Sequence, residues 1–320
     1  MEELIKLPTK APLVFSDDSQ FIKSNTESVS FDHLLHDCIV PVFAKDNETT
    51  MSHIDFIEVA NEVVNHIFSG EQVLSPSVRV SHPIKGRTPD AIKKPVNSLL
   101  EHEKTLYYER MAFLIEIPSV KYNIRGNDLS LTIGGVRAYN IENLYSKKTE
   151  EKFKVFIGFQ NKVCTNMCIS TDGYKAELRA RTVDELGEGI YDLIRSFKFE
   201  KQLRMLEVMP NYFITEAQFA HIIGRMRMYQ IMPSSMKKEI PSLMISDSQI
   251  NSVVKDYYFD KHFGRNVDGG IDIWSLYNLL TEANKSSYID SFLDRSVNAN
   301  QLCQHLTETI DSKSHSWYLN

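Results

Sequence analysis

The spacing of apolar residues predicts helices in the first third of the chain. From Ser52 onwards, apolar residues recur every three or four positions, which is the period of one face of a helix. Ser52 and Asp55 have the spacing of a capping box, in which two side chains bond the backbone at a helix start. We therefore predict a helix over 52–70. A second helix is predicted over 95–107, because Pro95 suits the first turn of a helix.

The middle of the chain changes to the pattern of a sheet. Apolar and β-branched runs are separated by the turn dipeptides Gly126-Asn127 and Asp172-Gly173, which favour tight hairpins. The predicted strands are 110–120, 129–139, 154–159, 162–169 and 174–181. We expect them to form an antiparallel sheet.

Helical spacing returns after the last predicted strand. Thr182 and Glu185 form a second capping box, and the apolar residues that follow predict one long helix that packs on the sheet as far as Leu206. Beyond Pro210 every pattern is helical. The predicted helices there are 215–230, 246–258, 272–283 and 287–310. The fold class is therefore α+β: an antiparallel sheet with a long packing helix, followed by a C-terminal helical bundle.

The chain length and these patterns predict three regions. A chain of 320 residues has room for two domains. Residues 1–50 lack a clear pattern and are expected to be an extended or partly disordered arm. Residues 51–210 form the α+β domain with the basic sheet, and residues 211–320 form the helical domain. The longest apolar runs are too short to cross a bilayer, and the N-terminus lacks the pattern of a signal peptide, so we expect no membrane contact and a cytoplasmic location.

Candidate metal ligands and catalytic motifs are sparse. Cys164 and Cys168 would share one face of a strand, where they are interpreted as small apolar core residues. His33 and His36 lie in the one dense group of possible ligands, residues 32–38, but such tight spacing on one element does not suit a structural zinc ion. We expect no metal and no cofactor. Familiar hydrolase and protease signatures are missing from the sequence, so an enzyme is not expected, although a site assembled from distant residues stays open.

The charge of the chain is uneven. The formal net charge is −6, but residues 1–83 carry 5 Lys or Arg against 13 Asp or Glu, residues 84–238 carry 25 against 18, and residues 239–320 carry 6 against 11. The basic middle favours binding of a polyanion, because each Lys or Arg that neutralises a phosphate releases counterions. The alternative is that the acidic flanks pack against the basic middle within the folded protein.

Arg and Tyr residues are interleaved through this basic middle. Guanidinium groups and aromatic rings together suit single-stranded nucleic acid, whose bases stack while cations hold the phosphates. The candidate phosphate contacts are Arg125, Arg137, Arg179 and Arg181, and the candidate stacking groups are Tyr122 and Tyr139. The alternative is that these are solvated strand residues, paired with acids such as Glu177.

Several blocks of the sequence resemble a known group of proteins. These blocks are VSHPIKGRTPDAIKKP (80–95), YYERMAFLIEIP (107–118), LTIGGVRAYN (131–140), KVFIGFQNKVCTNMCISTDGY (154–174) and IDIWSLYNLLTEANKSSYIDSFLDR (271–295). They resemble an uncharacterised family from Bacteroidetes genomes and their conjugative elements, over most of the chain from about residue 50. A looser likeness joins the chain to phage- and plasmid-related proteins. The residues that carry it are Cys164 and Asn166, and Trp274, Tyr277, Asn278 and Thr281.

The resemblance implies that the protein belongs to a mobile element, but it implies no particular reaction. Accessory genes of mobile elements handle transferred DNA or blunt host defences. We therefore expect a non-enzymatic accessory protein of mobile-element DNA metabolism that binds or anneals single-stranded DNA. The alternative is an anti-restriction or anti-defence protein that binds a host defence protein. A hydrolase with a dispersed metal site is a third hypothesis, and open sheet edges would allow homo-oligomers.

Overall fold

In the described part of the chain, one helix precedes a run of strands, and most of the helices follow that run. The computed structural model describes residues 20–38, 50–91, 93–141 and 150–320. The strands are β1 Glu27–Ser28, β2 Ser77–Val80, β3 Pro83–Arg87, β4 Lys104–Tyr108, β5 Arg110–Ile124, β6 Asn127–Ala138, β7 Glu151–Asn161, β8 Met167–Cys168, β9 Tyr174–Ala180, β10 Phe213–Ile214 and β11 Ile271–Asp272. The α-helices are α1 His53–Ile67, α2 Val183–Ser196, α3 Phe199–Val208, α4 Glu216–Ile231, α5 Asp247–Phe259, α6 Ile273–Asn284 and α7 Ile289–Ser312.

The main sheet is antiparallel and confirms the predicted α+β class. Its strands follow the order β1-β2-β5-β6-β7-β8, and β9 also pairs with β7. The hairpin of β5 and β6 turns at Arg125 and Gly126, whose φ angles of 49° and 82° both lie in the left-handed region. Such a turn matches the twist of the strands that it joins. The register shifts between Ile117 and Lys121, where Pro118 has no N–H to donate to the ladder.

Helices cover both faces of the sheet. On one face, Phe56 of α1 packs edge-on against Phe113 and Phe153, with ring centroids 5.0 and 4.9 Å away. On the other face, alternate residues of β5, β6 and β7 pack against the start of α7, where Phe292 meets Phe21. Central strands buried on both sides have few polar positions, which explains the nearly continuous apolar runs of the sequence.

The glycine pair of β6 lies beneath these packed layers. A Cβ on Gly135 would stand 2.4 Å from the ring of Phe56, and one on Gly134 would stand 2.2 Å from the carbonyl oxygen of Phe113. Neither distance leaves room for a side chain. Gly135 therefore allows α1 to approach the sheet closely, and both glycines lie in the core.

Four predicted elements are wrong. The strand predicted over 162–169 is a turn that is followed by the two-residue β8. The helix predicted over 95–107 consists of two short 3₁₀ turns followed by β4, because long-range pairing of β4 with β3 overrides local helical propensity. Asp172-Gly173 lies in a 3₁₀ turn and not in a hairpin, since β8 and β9 each pair with β7. The long helix breaks into α2 and α3 at Phe197, whose extended backbone turns its ring into the core.

The predicted C-terminal helices are confirmed as α4 to α7, and the capping boxes of α4 and α5 form as expected. Buried side chains from both sides of residue 210 belong to one continuous core, so the domain boundary there stays a prediction. Within the predicted arm, residues 20–38 pack against the rest of the protein. Phe21 and Ile22 are buried, and β1 pairs with β2. Residues 1–19 and 39–49 of that arm lie outside the described residues. None of the described helices is both long and apolar enough to cross a membrane.

Candidate functional site

Arg137 and Tyr139, two of the six predicted nucleic-acid contacts, are buried. The Arg137 side chain is fully enclosed, forms an ion pair with Glu151, and places its guanidinium 4.1 Å from the ring centroid of Phe153. The hydroxyl of Tyr139 donates to the carbonyl of Met51 over 3.2 Å. Because α1 and the segment before it cover this end of β6, neither side chain reaches the surface. This burial counts against nucleic-acid contacts by Arg137 and Tyr139, which stay predictions.

His53 completes this buried cluster. Its ring stacks on Tyr139 with centroids 4.7 Å apart, and its Nε2 atom lies 2.8 Å from the carbonyl oxygen of Tyr108 and donates to it. Burial lowers the pKa of His53 to about 3, against the opposing effect of the Tyr108 carbonyl and with a smaller lowering from Arg137. The imidazole is therefore neutral at physiological pH, and the cluster is structural.

Arg179 and Arg181 are exposed at one edge of the sheet, where Leu178 and Ala180 point inwards as the alternation predicts. Arg179 forms an ion pair of 2.5 Å with Glu177, and Arg181 forms one of 3.2 Å with Glu150. Surface pairs of this kind contribute little free energy. The two guanidinium groups are therefore accessible, although each has an acidic neighbour.

Arg125 lies at a cleft between the β5–β6 hairpin tip and the segment that follows α3. The cleft has a volume of about 600 Å³. It is lined by Asn123, Ile124, Arg125, Glu207, Pro210, Asn211 and Phe213. Its walls combine one cation, one aromatic ring, two side-chain amides and one carboxylate. This set of groups can stack on a planar ring and can also bond its polar edge.

An ion pair fixes Arg125 in this position. Its Nη1 atom lies 2.7 Å from Oδ2 of Asp272, a buried carboxylate at the N-terminus of α6. The Oδ1 atom of Asp272 accepts the backbone N–H of Ser275 over 2.9 Å, so the acid also caps the helix. The carboxylate holds one edge of the guanidinium, while 51% of the Arg125 side chain stays accessible to solvent.

Phe213 faces Arg125 across the cleft. The sequence analysis does not predict Phe213 as a site residue. It pairs with Asp272 in the short ladder of β10 and β11, which places its ring centroid 6.0 Å from the guanidinium carbon of Arg125. Although it is a large apolar residue, Phe213 is 49% exposed. Tyr122, by contrast, is half-buried against the main core and does not line the cleft. A two-residue strand between Pro210 and the cap of α4 carries too little pattern to predict such a position.

Exposed cations lead to the cleft along α3. Lys201, Arg204 and Glu207 are spaced three residues apart and therefore share one face of the helix. Glu207 lines the cleft, so Lys201 and Arg204 extend away from it as a short basic stripe. On this stripe Arg204 forms an ion pair with Glu200 that is solvent-exposed and 3.4 Å long. We call Arg125, Phe213 and this stripe the hairpin-tip site.

Cys164, Cys168 and His33 were considered as possible metal ligands. Burial raises the pKa of the Cys164 thiol to about 11 and raises that of Cys168 further, so both thiols are protonated. His33 contacts Asp37 and the hydroxyl of Tyr108, at 2.9 and 3.0 Å. Across residues 20–38, 50–91, 93–141 and 150–320, no three His, Cys, Asp or Glu side chains are grouped so that they could hold a metal ion.

The fold and the cleft together define an α+β protein with an open, mixed polar and aromatic site at a hairpin tip. The chain belongs to the family described as "Domain of unknown function, B. Theta Gene description (DUF3871)", whose model matches residues 9–319. The expected membership of an uncharacterised family is thereby confirmed. No curated protein and no solved structure matches the chain.

Proposed function

We propose that this protein binds single-stranded nucleic acid at the hairpin-tip site, as an accessory protein of mobile-element DNA metabolism without catalytic activity. The observation that carries the proposal is the exposed pair of Arg125 and Phe213 at the mouth of the cleft. The mobile-element part of this proposal rests on the sequence resemblance alone. In this proposal Phe213 replaces Tyr139 as the stacking group.

The chemistry of the cleft suits an unpaired base. A base can stack on the ring of Phe213, while the guanidinium of Arg125 contacts its face or the adjoining phosphate. The amides of Asn123 and Asn211 provide donors and acceptors for its edge. Bases in a duplex are stacked and paired, so single strands are the favoured ligand.

The surroundings of the cleft explain how the backbone of the strand would be held. Lys201 and Arg204 are exposed on the face of α3 that ends at the cleft. Cations at such positions neutralise phosphates and make affinity depend on salt concentration. Both faces of the main sheet are covered by helices, which favours the hairpin tip over the sheet surface as the contact region.

Fluorescence anisotropy with labelled single- and double-stranded oligonucleotides tests the proposal. Phe213→Ala removes the stacking ring, and we expect the affinity for the single strand to fall about 5- to 150-fold, the effect of losing one stacked base. The control is Arg195→Ala, which removes an exposed arginine of α2 that lies 5.9 Å from the ring of Tyr191 and does not line the cleft. Equal affinity of wild type and Phe213→Ala, or no binding at low salt, would contradict the proposal.

The same titration tests the remaining predicted contacts. Arg179 and Arg181 stay predicted phosphate contacts for a strand that extends beyond the cleft. Substitution of both by Ala lowers affinity for long oligonucleotides only if the strand reaches β9. A duplex that binds as tightly as the single strand would exclude recognition of unpaired bases.

A second candidate function, binding of a host defence protein, has its own observation. Apolar side chains are exposed at the end of α4 and in the turn beyond it: Ile231 is 87% exposed, and Met228 and Met236 are exposed beside it in sequence. Exposed apolar groups of this size are typical of protein interfaces. The test is the transformation efficiency of unmodified plasmid in a restriction-proficient host. Protection that Ile231→Lys abolishes and Phe213→Ala leaves intact would favour this candidate over nucleic-acid binding.

A further inference from the structure

A second pairing of an arginine with an aromatic ring lies beyond the cleft. The guanidinium carbon of Arg265 is 4.7 Å from the ring centroid of Tyr258, and Tyr258 is 48% exposed. Glu216 holds both residues: its Oε1 atom accepts the hydroxyl of Tyr258 over 3.0 Å and lies 3.5 Å from Nη1 of Arg265. The pair is thus fixed in position and open to solvent, as the first pair is.

A short stretch of chain links the Arg125–Phe213 pair to the Arg265–Tyr258 pair. Phe213 belongs to β10, and Glu216 begins α4 only three residues later. Three residues span at most about 10 Å, even when fully extended. Glu216 also lies against Gly269, in the turn just before β11, the strand that supplies Asp272 to the first pair. The β10–β11 ladder therefore connects the two pairs on one rigid support.

The second pair has exposed apolar neighbours. Phe259 follows Tyr258 at the end of α5 and is 75% exposed, with the two ring centroids 6.5 Å apart. Val267, in the loop that carries Arg265, is fully exposed. Neither Tyr258 nor Phe259 is buried in the core, so both rings are accessible. An arginine beside accessible rings is the arrangement that stacks bases without selecting their sequence.

We infer that Tyr258 and Arg265 form a second base-stacking position, so that a bound single strand runs from the cleft across the β10–β11 ladder onto the end of α5. This inference rests on the proposed function. The ligand is a single-stranded polynucleotide of more than one nucleotide, and DNA and RNA share the required chemistry. One base of the strand stacks on the ring of Phe213, and the next base that can reach Tyr258 stacks on the ring of Tyr258.

A length series tests the inference. The probes are labelled oligothymidylate and oligouridylate of about 4 to about 16 nucleotides, the range of site sizes for such proteins, with thymidine monophosphate as a competitor that fills one position. We expect Tyr258→Ala to lower affinity for the longer probes about 5- to 150-fold and to leave monophosphate binding unchanged. Tyr258→Phe keeps the ring but loses the bond to Glu216, and we expect it to retain wild-type affinity.

The outcomes separate this inference from the proposal beneath it. If the wild type binds and Phe213→Ala weakens binding while Tyr258→Ala does not at any length, the second position is refuted and the cleft stands. If the wild type binds no probe, the proposed function itself fails. Equal losses in Tyr258→Ala and Tyr258→Phe would also overturn the inference, because they would show that the hydroxyl contact matters and not the ring. The DNA and RNA probes show which polymer gives the length-dependent loss.

Discussion

The side-chain amide of Asn166 donates a hydrogen bond to the backbone carbonyl of Asn278 over 2.9 Å. Asn161 donates to the side-chain oxygen of the same residue over 3.1 Å. Asn161 is the last residue of β7, Asn166 lies just before β8, and Asn278 lies in the middle of α6. These buried contacts join the sheet to the C-terminal helices.

Removing this contact should destabilise the fold. Asn278→Ala leaves the buried amide of Asn161 without its acceptor, and each such unpaired group costs about 1–3 kcal/mol. We expect the free energy of unfolding, measured by urea denaturation, to fall by at least that amount. Asn65→Ala is the matched control, because Asn65 also donates to the carbonyl four residues earlier in its helix but is exposed. A similar loss in both variants would contradict the structural role of Asn278.

The buried imidazole of His53 predicts a loss of stability in acid. Its pKa is about 3 in the folded protein, against an ordinary value of 6.5, so the unfolded chain binds this proton first as the pH falls. The contribution of His53 is therefore complete above pH 6.5 and is lost progressively between pH 6.5 and 3.

His53→Gln isolates this effect, since glutamine can still donate to the carbonyl of Tyr108. We expect the free energy of unfolding of the variant to depend less steeply on pH in that window, by up to about 1.4 kcal/mol per pH unit. Urea denaturation of both proteins at several pH values measures the difference. Parallel pH profiles for wild type and variant would show that His53 is protonated in the folded state.

Two glycines should respond to alanine in opposite directions. Gly135→Ala forces a methyl group against the buried ring of Phe56, and such overpacking costs about 1–3 kcal/mol. Gly224 lies inside α4 with no atom within 4 Å of an added Cβ, so Gly224→Ala should stabilise the protein by about 0.5–1 kcal/mol. Thermal unfolding of the two variants checks both signs. A neutral or stabilising Gly135→Ala would show that α1 does not pack as described.

The basic stripe on α3 predicts a specific salt dependence. If Lys201 and Arg204 each neutralise one phosphate, replacing both by Ala should reduce the slope of log affinity against log salt concentration by about 0.7 for each contact. A salt series with a single-stranded oligonucleotide measures the slope. Arg195→Ala should leave it unchanged. An unaltered slope in the double variant would remove α3 from the path of the strand.

Local signals in the sequence predicted much of the fold. The capping boxes that begin at Ser52, Thr215 and Ser246 are satisfied within four residues, so they mark helix starts wherever the helix packs. Elements that depend on distant partners were mispredicted. The strand β4 forms because β3 pairs with it, and Phe197 interrupts a helix because the core accepts its ring. Neither fact is visible in a short window of sequence.

The site was only partly predictable for the same reason. Arg125 follows from a turn at the end of two strands, where a basic residue is expected to be exposed. Phe213 is 88 positions further along the chain, and only tertiary structure places it opposite Arg125. Arg137 alternates with apolar residues as a surface residue would, but α1 covers that face and Glu151 neutralises its charge within the core. Alternation identifies two faces of a strand and does not show which face a helix will cover.

The central claim, that a single strand occupies the cleft beside Arg125, is tested most directly by cross-linking. An oligonucleotide that contains iododeoxyuridine is irradiated in complex with the protein, and the modified peptide is identified by mass spectrometry. The account predicts a cross-link to the peptide that contains Phe213, and its loss in Phe213→Ala but not in Arg195→Ala. Cross-links confined to peptides of β3, β4 or β9, with none at Phe213, would contradict the account.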